Sequence, residues 1–75
     1  METRIIRMVD SFYRWGSDGD VTLTEGSNGL FYVAWGLGLG DYVGDHSYSV
    51  YEHNTEEEAR IMFDADYTEE MEHRR

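Results

Sequence analysis

Three segments of the chain carry the hydrophobic pattern of β-strands. Val21 and Leu23 alternate with polar neighbours, and Tyr48 and Val50 alternate with serines. This period of two is typical of a strand with one solvent-facing side. Residues 30–35 read Leu-Phe-Tyr-Val-Ala-Trp and are apolar on both faces, as in a central strand. Together the three segments predict an antiparallel meander.

Two dipeptides indicate the turns of this meander. Asp18-Gly19 and Asn28-Gly29 readily supply the positive φ angles of tight hairpin turns. Each lies between apolar or alternating segments, so we expect each to join two strands.

The N-terminal segment, Arg4 to Trp15, fits two patterns. Its polar residues at positions 4, 7, 11 and 14 follow the period of a helix. The predicted turn at Asp18-Gly19 instead favours a strand on its N-terminal side, which residues 12–15 could supply. We expect a first strand here, and an N-terminal helix is the alternative.

The last segment carries the start signal of a helix. Thr55 followed three residues later by Glu58 forms a capping box, and Glu56 and Glu57 favour the positive end of the helix dipole. The pattern predicts a helix from about Thr55 to His73.

This helix is predicted to be amphipathic. An apolar stripe at spacings of three and four would face the sheet, formed by Ala59, Met62, Phe63, Tyr67 and Met71. Along the helix, Glu56–Arg60 and Glu70–Arg74 have the favourable i,i+4 spacing of ion pairs.

These elements define one α+β domain spanning residues 1–75. A small antiparallel sheet of three to four strands packs on a single C-terminal amphipathic helix, since no proline, repeat or low-complexity linker divides the chain. A domain this small buries a marginal core, and there is no cysteine for a disulfide. Aromatic side chains supply much of the apolar area, and we expect some of these rings to stay exposed to a partner or a second copy.

The charge of the chain narrows the class of partner. The chain has sixteen Asp and Glu residues, six Arg and no Lys, which gives a formal net charge of -10. Most acids lie from residue 16 to residue 73, while Arg4, Arg7 and Arg14 make the N-terminus slightly basic. Such a field repels nucleic acid and anionic membranes and attracts basic protein surfaces.

The glycine-rich segment 36–44 does not match a phosphate-binding loop. Position 43, where a dinucleotide fingerprint needs its third glycine, is Val, and a chain without lysine has no Walker loop. We expect a flexible or bulged hairpin connection, in which Asp41, Tyr42 and Asp45 are available to a partner.

We expect no metal site, no cofactor and no catalysis. Asp18 and Asp20 lack the glycine and glutamate of a calcium loop. His46 and His53, seven apart on a predicted strand, would lie on opposite faces. The serines have no nucleophile-elbow context, and no pair of carboxylates is marked for acid–base chemistry.

The candidate functional residues are therefore those that would meet a basic protein surface. They are Glu56, Glu57, Glu58, Asp64, Asp66, Glu69 and Glu70 on the helix and Asp41, Tyr42 and Asp45 in the glycine-rich loop.

In size and acidity the chain resembles the small acidic proteins that bacteriophages use against host defence. That resemblance implies a non-enzymatic inhibitor of the anti-CRISPR or anti-restriction type, a nucleic-acid mimic that occupies the basic surface of a nucleic-acid-binding protein. No segment approaches the roughly 20 apolar residues of a membrane span, so we expect a cytoplasmic protein, in the host cytoplasm if it is phage-encoded.

Three alternatives stay open at this point. About half of the chain resembles the WGR domains, through Trp35-Gly36, the strand that follows, and Glu58-Ala59 with Phe63. This resemblance implies a nucleic-acid-associated module. A surface that contacts DNA should, however, be basic. A small structural protein could form a homodimer through its aromatic face. The acidity could also be the solubilising or halophilic kind that implies no partner.

Overall fold

The computed structural model describes residues 3–13, 19–36 and 40–73. Its elements in chain order are β1 (Ile5–Tyr13), β2 (Asp20–Gly26), β3 (Phe31–Gly36), β4 (Ser47–His53) and α1 (Glu56–His73). The strands form one antiparallel sheet in the order β1-β2-β3-β4, so each strand pairs with its neighbour in sequence. The predicted α+β meander with one C-terminal helix is confirmed.

The ambiguous N-terminal segment is a strand with two irregularities. β1 pairs with β2 from Ile5 opposite Gly26 to Tyr13 opposite Asp20, and its register shifts between Ile5 and Arg7 and again between Met8 and Asp10. Each shift resets the alternation of faces. Val9 and Phe12, three residues apart, therefore both pack against the core, which explains the helix-like period of the sequence.

The turn between β2 and β3 is built around the predicted Asn28-Gly29. The amide of Gly29 donates to the carbonyl of Gly26 at 3.0 Å, and the amide of Gly26 donates to the carbonyl of Leu30 at 2.9 Å. Gly29 has a φ of +85°, so a type I turn is closed by a left-handed glycine. In the other predicted turn, Asp18 lies outside the described residues.

The helix starts at its predicted cap. The hydroxyl oxygen of Thr55 accepts a hydrogen bond from the amide of Glu58 at 3.2 Å, and three glutamates occupy the first turn. Within the part of the chain that the structure describes, no helix is long and apolar enough to cross a membrane.

The core lies between α1 and the face of the sheet beneath it. Its buried members are Val21, Leu23, Val33, Ala59 and Phe63. Phe12 packs edge-on against Phe63 and against Tyr67, with ring centroids 5.2 Å apart in both pairs. Of the predicted stripe, Ala59 and Phe63 are buried, while Tyr67 keeps 44% of its surface exposed.

The opposite face of the sheet also has buried residues, and the N-terminal segment and the loop before β4 lie next to it. Thr22, Thr24, Tyr32 and Ala34 are buried there without a helix above them. The amide of Ile5 donates to the carbonyl of Asp41 and the amide of Val43 to that of Thr3, so the loop before β4 pairs with the N-terminal segment. A Cβ on Gly44 would touch the side chain of Val50, which lies opposite Ala34.

Candidate functional site

Most of the candidate helix residues are exposed, but not all. Glu57, Glu58, Asp64 and Glu69 are exposed, Glu56 and Asp66 are half-buried, and Glu70 is 7% exposed. Asp66 and Glu70 follow Ala59 and Phe63 at spacings of three and four, so they occupy the sheet-facing stripe of α1. Sequence analysis gave these places to Tyr67 and Met71.

The acids at the edge of α1 next to β1 form ion pairs with arginines. Arg7 in β1 donates to Glu25 at 2.9 Å and to Glu56 at 3.0 Å. The pKa of the Arg7 guanidinium is raised, first by its hydrogen bond with Glu25 and then by that with Glu56. Two of the acids on this edge are therefore already paired with a cation.

A second arginine completes this edge. Arg60 donates to Asp10 in β1 at 2.9 Å and to Asp64 at 3.5 Å. The hydrogen bond from Arg60 holds the pKa of Asp10 below its ordinary value. The predicted pair Glu56–Arg60 is wrong, because β1 lies alongside the helix and offers each of these residues a closer partner. In the predicted pair Glu70–Arg74, Arg74 lies outside the described residues.

The edge of α1 next to β4 has a different character. The arginines that the structure describes are Arg7 and Arg60 beside β1 and Arg4, whose guanidinium lies 5.7 Å from the ring centroid of Tyr42. None of them is on the β4 side, and the chain has no lysine. The ion pairs with arginine that the structure describes on α1 therefore lie on its β1 side.

Four carboxylates belong to this edge. Asp66 and Glu69 face β4 across a shared groove. Glu58 precedes the groove residue Met62 by four positions and Glu72 follows Glu69 by three, so each lies on the same side of the helix. We call Glu58, Asp66, Glu69 and Glu72 the β4-side carboxylates.

The groove itself is lined by rings as well as acids. It has a volume of about 470 Å³ and is lined by Trp35, Tyr48, Ser49, Tyr51, Met62, Ala65, Asp66 and Glu69. The rings of Trp35 and Tyr51 meet at 87° with centroids 5.4 Å apart. The indole Nε1–H of Trp35 donates to Oδ2 of Asp66 at 3.2 Å. Aromatic walls and carboxylates thus share one open cleft.

Sequence analysis missed the groove as a site. Asp66 was a candidate for its charge alone, and neither Trp35 nor Tyr51 was a candidate residue. One signal was available, since a partly buried indole N–H usually finds an acceptor.

The candidate loop residues lie elsewhere and contact one another. The amide of Tyr42 donates to Oδ2 of Asp45 at 3.3 Å, and the amide of Asp45 donates to the carbonyl of Tyr42 at 3.1 Å. Tyr42 and Arg4 also form an isolated antiparallel β-bridge through their backbones. Asp41, Tyr42 and Asp45 therefore support the closure of the far face of the sheet, and they do not join the helix residues.

The histidines occupy unrelated positions. His46 has a φ of 60° and precedes β4, whereas the sequence predicted it within the strand. His53 lies in β4 opposite Phe31. No group of three potential metal ligands occurs among the residues described.

Fold and groove together define a small acidic α+β domain, with arginine–carboxylate ion pairs on one helix edge and an acidic aromatic groove on the other. Comparison with models of known protein families, with curated proteins and with solved structures finds no match. The WGR resemblance stays a prediction. Its Trp35-Gly36 ends β3 beside the groove, and its Glu58, Ala59 and Phe63 lie on α1.

Proposed function

We propose that this protein is a non-enzymatic inhibitor that binds a basic surface of a nucleic-acid-binding protein. The phage anti-defence type, anti-CRISPR or anti-restriction, is the form of this activity that the composition favours. The observation that carries the proposal is the uneven charge of α1, with arginines paired along the β1 edge and carboxylates beside exposed rings along the β4 edge.

The support beneath these carboxylates is rigid. α1 is held on the sheet by Ala59 and Phe63, which are 0% and 2% exposed. From Glu58 to Glu72 the helix advances about 21 Å, the length of roughly six base-pair steps of DNA at 3.4 Å per step. A row of negative charge with that length suits a groove that evolved to hold a phosphate backbone.

The net charge of -10 also affects how fast the protein would associate with its partner. A field of one sign steers an oppositely charged protein and accelerates association, and it repels nucleic acid. The proposed partner is thus the protein, and no direct contact with nucleic acid is involved.

The test uses DNA cleavage by a panel of purified restriction endonucleases and RNA-guided nucleases. The helix variant carries Glu58→Gln, Glu69→Gln and Glu72→Gln. Its matched control, the sheet variant, carries Asp20→Asn, Glu25→Gln and Glu52→Gln, which change the net charge equally but lie off the helix, in β2 and β4.

We expect the wild-type protein to inhibit at least one nuclease in competition with its DNA. Inhibition should weaken steeply as salt rises, because the contact is electrostatic. The helix variant should lose about tenfold or more in potency, since each lost contact to a charged group is worth about 1.5–3 kcal/mol, and the sheet variant should stay near wild type. Inhibition of no nuclease, equal losses in both variants, or a mobility shift of naked DNA by the protein would overturn the proposal.

A homodimer is the second candidate, and a specific observation favours it. Tyr48 and Tyr51 are 60% and 50% exposed on β4, and in the described sheet no strand pairs with the outer side of β4. Such an edge can template a second chain, but two copies at -10 each repel. Light scattering distinguishes the candidates: a dimer at low salt would favour assembly, and a monomer favours the inhibitor.

A further inference from the structure

We propose that the groove between β4 and α1 is the anchoring site for an arginine side chain of the partner protein. This inference rests on the proposed function and names the contact that gives it specificity. Its occupant is a guanidinium group presented by a basic protein surface.

The aromatic part of the groove suits a flat cation. Trp35 and Tyr51 meet edge to face at 87°, and both rings line the cleft. Tyr48, which is 60% exposed, also lines the cleft. The faces of such rings attract a cation that stacks on them within about 6 Å.

The acidic part of the groove lies across from those rings. Asp66 and Glu69 are three residues apart on α1, so their side chains project from neighbouring positions on one face. Ala65, which also lines the groove, is small and adds little bulk to it. A carboxylate accepts several hydrogen bonds, so Asp66 can hold the Trp35 indole at 3.2 Å and still accept from a ligand.

Rings and carboxylates together select arginine among cationic side chains. A guanidinium stacks on an aromatic face and also donates paired N–H bonds to carboxylates in its plane. Lysine offers a compact charge that does not stack in this way. Trimethyl-lysine suits an aromatic cage but has no N–H to donate, so it would form no hydrogen bond with Asp66 or Glu69.

The arginine is better supplied by a partner than by a second copy of the chain. Of the arginines that the structure describes, Arg7 and Arg60 are each engaged with two carboxylates. Arg4 lies over the ring of Tyr42. A second copy would also bring another charge of -10 toward an already acidic edge.

The test titrates four short peptides into the 15N-labelled protein. The peptides are acetyl-Gly-Xaa-Gly-amide with arginine, its neutral isostere citrulline, lysine or trimethyl-lysine as Xaa. The readout is the NMR signal of the Trp35 indole N–H, assigned by its loss in Trp35→Phe. We expect the arginine peptide to shift this signal and to bind about tenfold or more tightly than the citrulline peptide, since only the guanidinium carries a charge opposite to that of the carboxylates.

Variants locate the site. Asp66→Asn with Glu69→Gln should lose the arginine preference. Glu57→Gln with Asp64→Asn, which removes the same charge outside the groove lining, should keep it. Tyr51→Phe should retain binding and Tyr51→Leu should weaken it. Circular dichroism verifies that each variant is folded, and the peptide comparison on the wild-type protein needs no variant.

Several results would overturn the groove assignment. They are equal binding of arginine and citrulline, tighter binding of lysine or trimethyl-lysine, an unmoved Trp35 signal, and full arginine binding by the Asp66→Asn, Glu69→Gln variant. If these occur while nuclease inhibition still depends on salt and on the β4-side carboxylates, the groove inference fails and the proposed function stands. If the protein inhibits no nuclease while the arginine peptide still binds in the groove, the proposed function fails and the groove inference stands.

Discussion

Thr55 determines where the helix begins. Its hydroxyl oxygen accepts from the amide of Glu58 at 3.2 Å, which satisfies one of the free donors at the helix start. We predict that Thr55→Ala lowers the free energy of unfolding by about 1 kcal/mol, measured by urea denaturation. Thr55→Ser keeps the acceptor and should stay close to wild type. Equal stability of the alanine and serine variants would refute the capping role.

A second prediction at this scale concerns the pair Asp10–Arg60. The pKa of Asp10 is lowered chiefly by the hydrogen bond from Arg60, so the pair stabilises the fold above the unfolded pKa of about 3.9. This contribution is lost as the pH falls through the lower folded pKa. The side chain of Asp10 is 47% exposed and that of Arg60 is 34% exposed, so the coupling energy of the pair should be only a few tenths of a kcal/mol.

A double-mutant cycle measures that coupling. Asp10→Asn, Arg60→Gln and the double variant separate the pair from the general repulsion of an acidic chain. The coupling should be present at pH 7 and should diminish as the pH falls through the lowered folded-state pKa of Asp10. A coupling that persists in acid would contradict the account.

At the scale of elements, Phe63 fixes α1 to the sheet. It is 2% exposed and packs edge-on against Phe12. We predict that Phe63→Ala costs about 3–5 kcal/mol, enough to unfold much of a 75-residue domain. Ile61→Ala, on the same helix but 66% exposed, should change stability by less than about 0.5 kcal/mol. Similar losses in both variants, seen in thermal melts by circular dichroism, would mean that α1 does not dock as described.

The elements that sequence analysis predicted well are those with local signals. Thr55 and Glu58 define the helix start, and Asn28-Gly29 defines a turn. β1 was ambiguous because its two register shifts bring Val9 and Phe12 to one face. No local period reveals such a shift before the partner strand is known.

The contacts that sequence analysis did not predict are those between distant residues. Arg60 meets Asp10 across 50 positions of the chain, which the i,i+4 rule does not address. Trp35 meets Asp66 across 31 positions, so the groove depends on the docking of α1. The charges in the sequence identify the helix as acidic. Only the packing of the helix on the sheet determines which of its edges is paired with arginines.

At the scale of the whole molecule, the charge of -10 opposes folding through self-repulsion. Added salt screens exposed charges, since the Debye length falls from about 30 Å at 0.01 M to about 10 Å at 0.1 M. We predict that the melting temperature rises over this range and rises less in the helix variant. A melting temperature that is unchanged or falls with salt would contradict this.

The central claim is that the β4-side carboxylates, and not acidity in general, meet the partner. Its most direct test is the salt dependence of binding to an inhibited nuclease, measured for wild type, helix variant and sheet variant as the slope of log affinity against log salt. We predict a shallower slope and weaker binding for the helix variant, with the sheet variant close to wild type. Identical slopes and affinities for the two variants would contradict the claim.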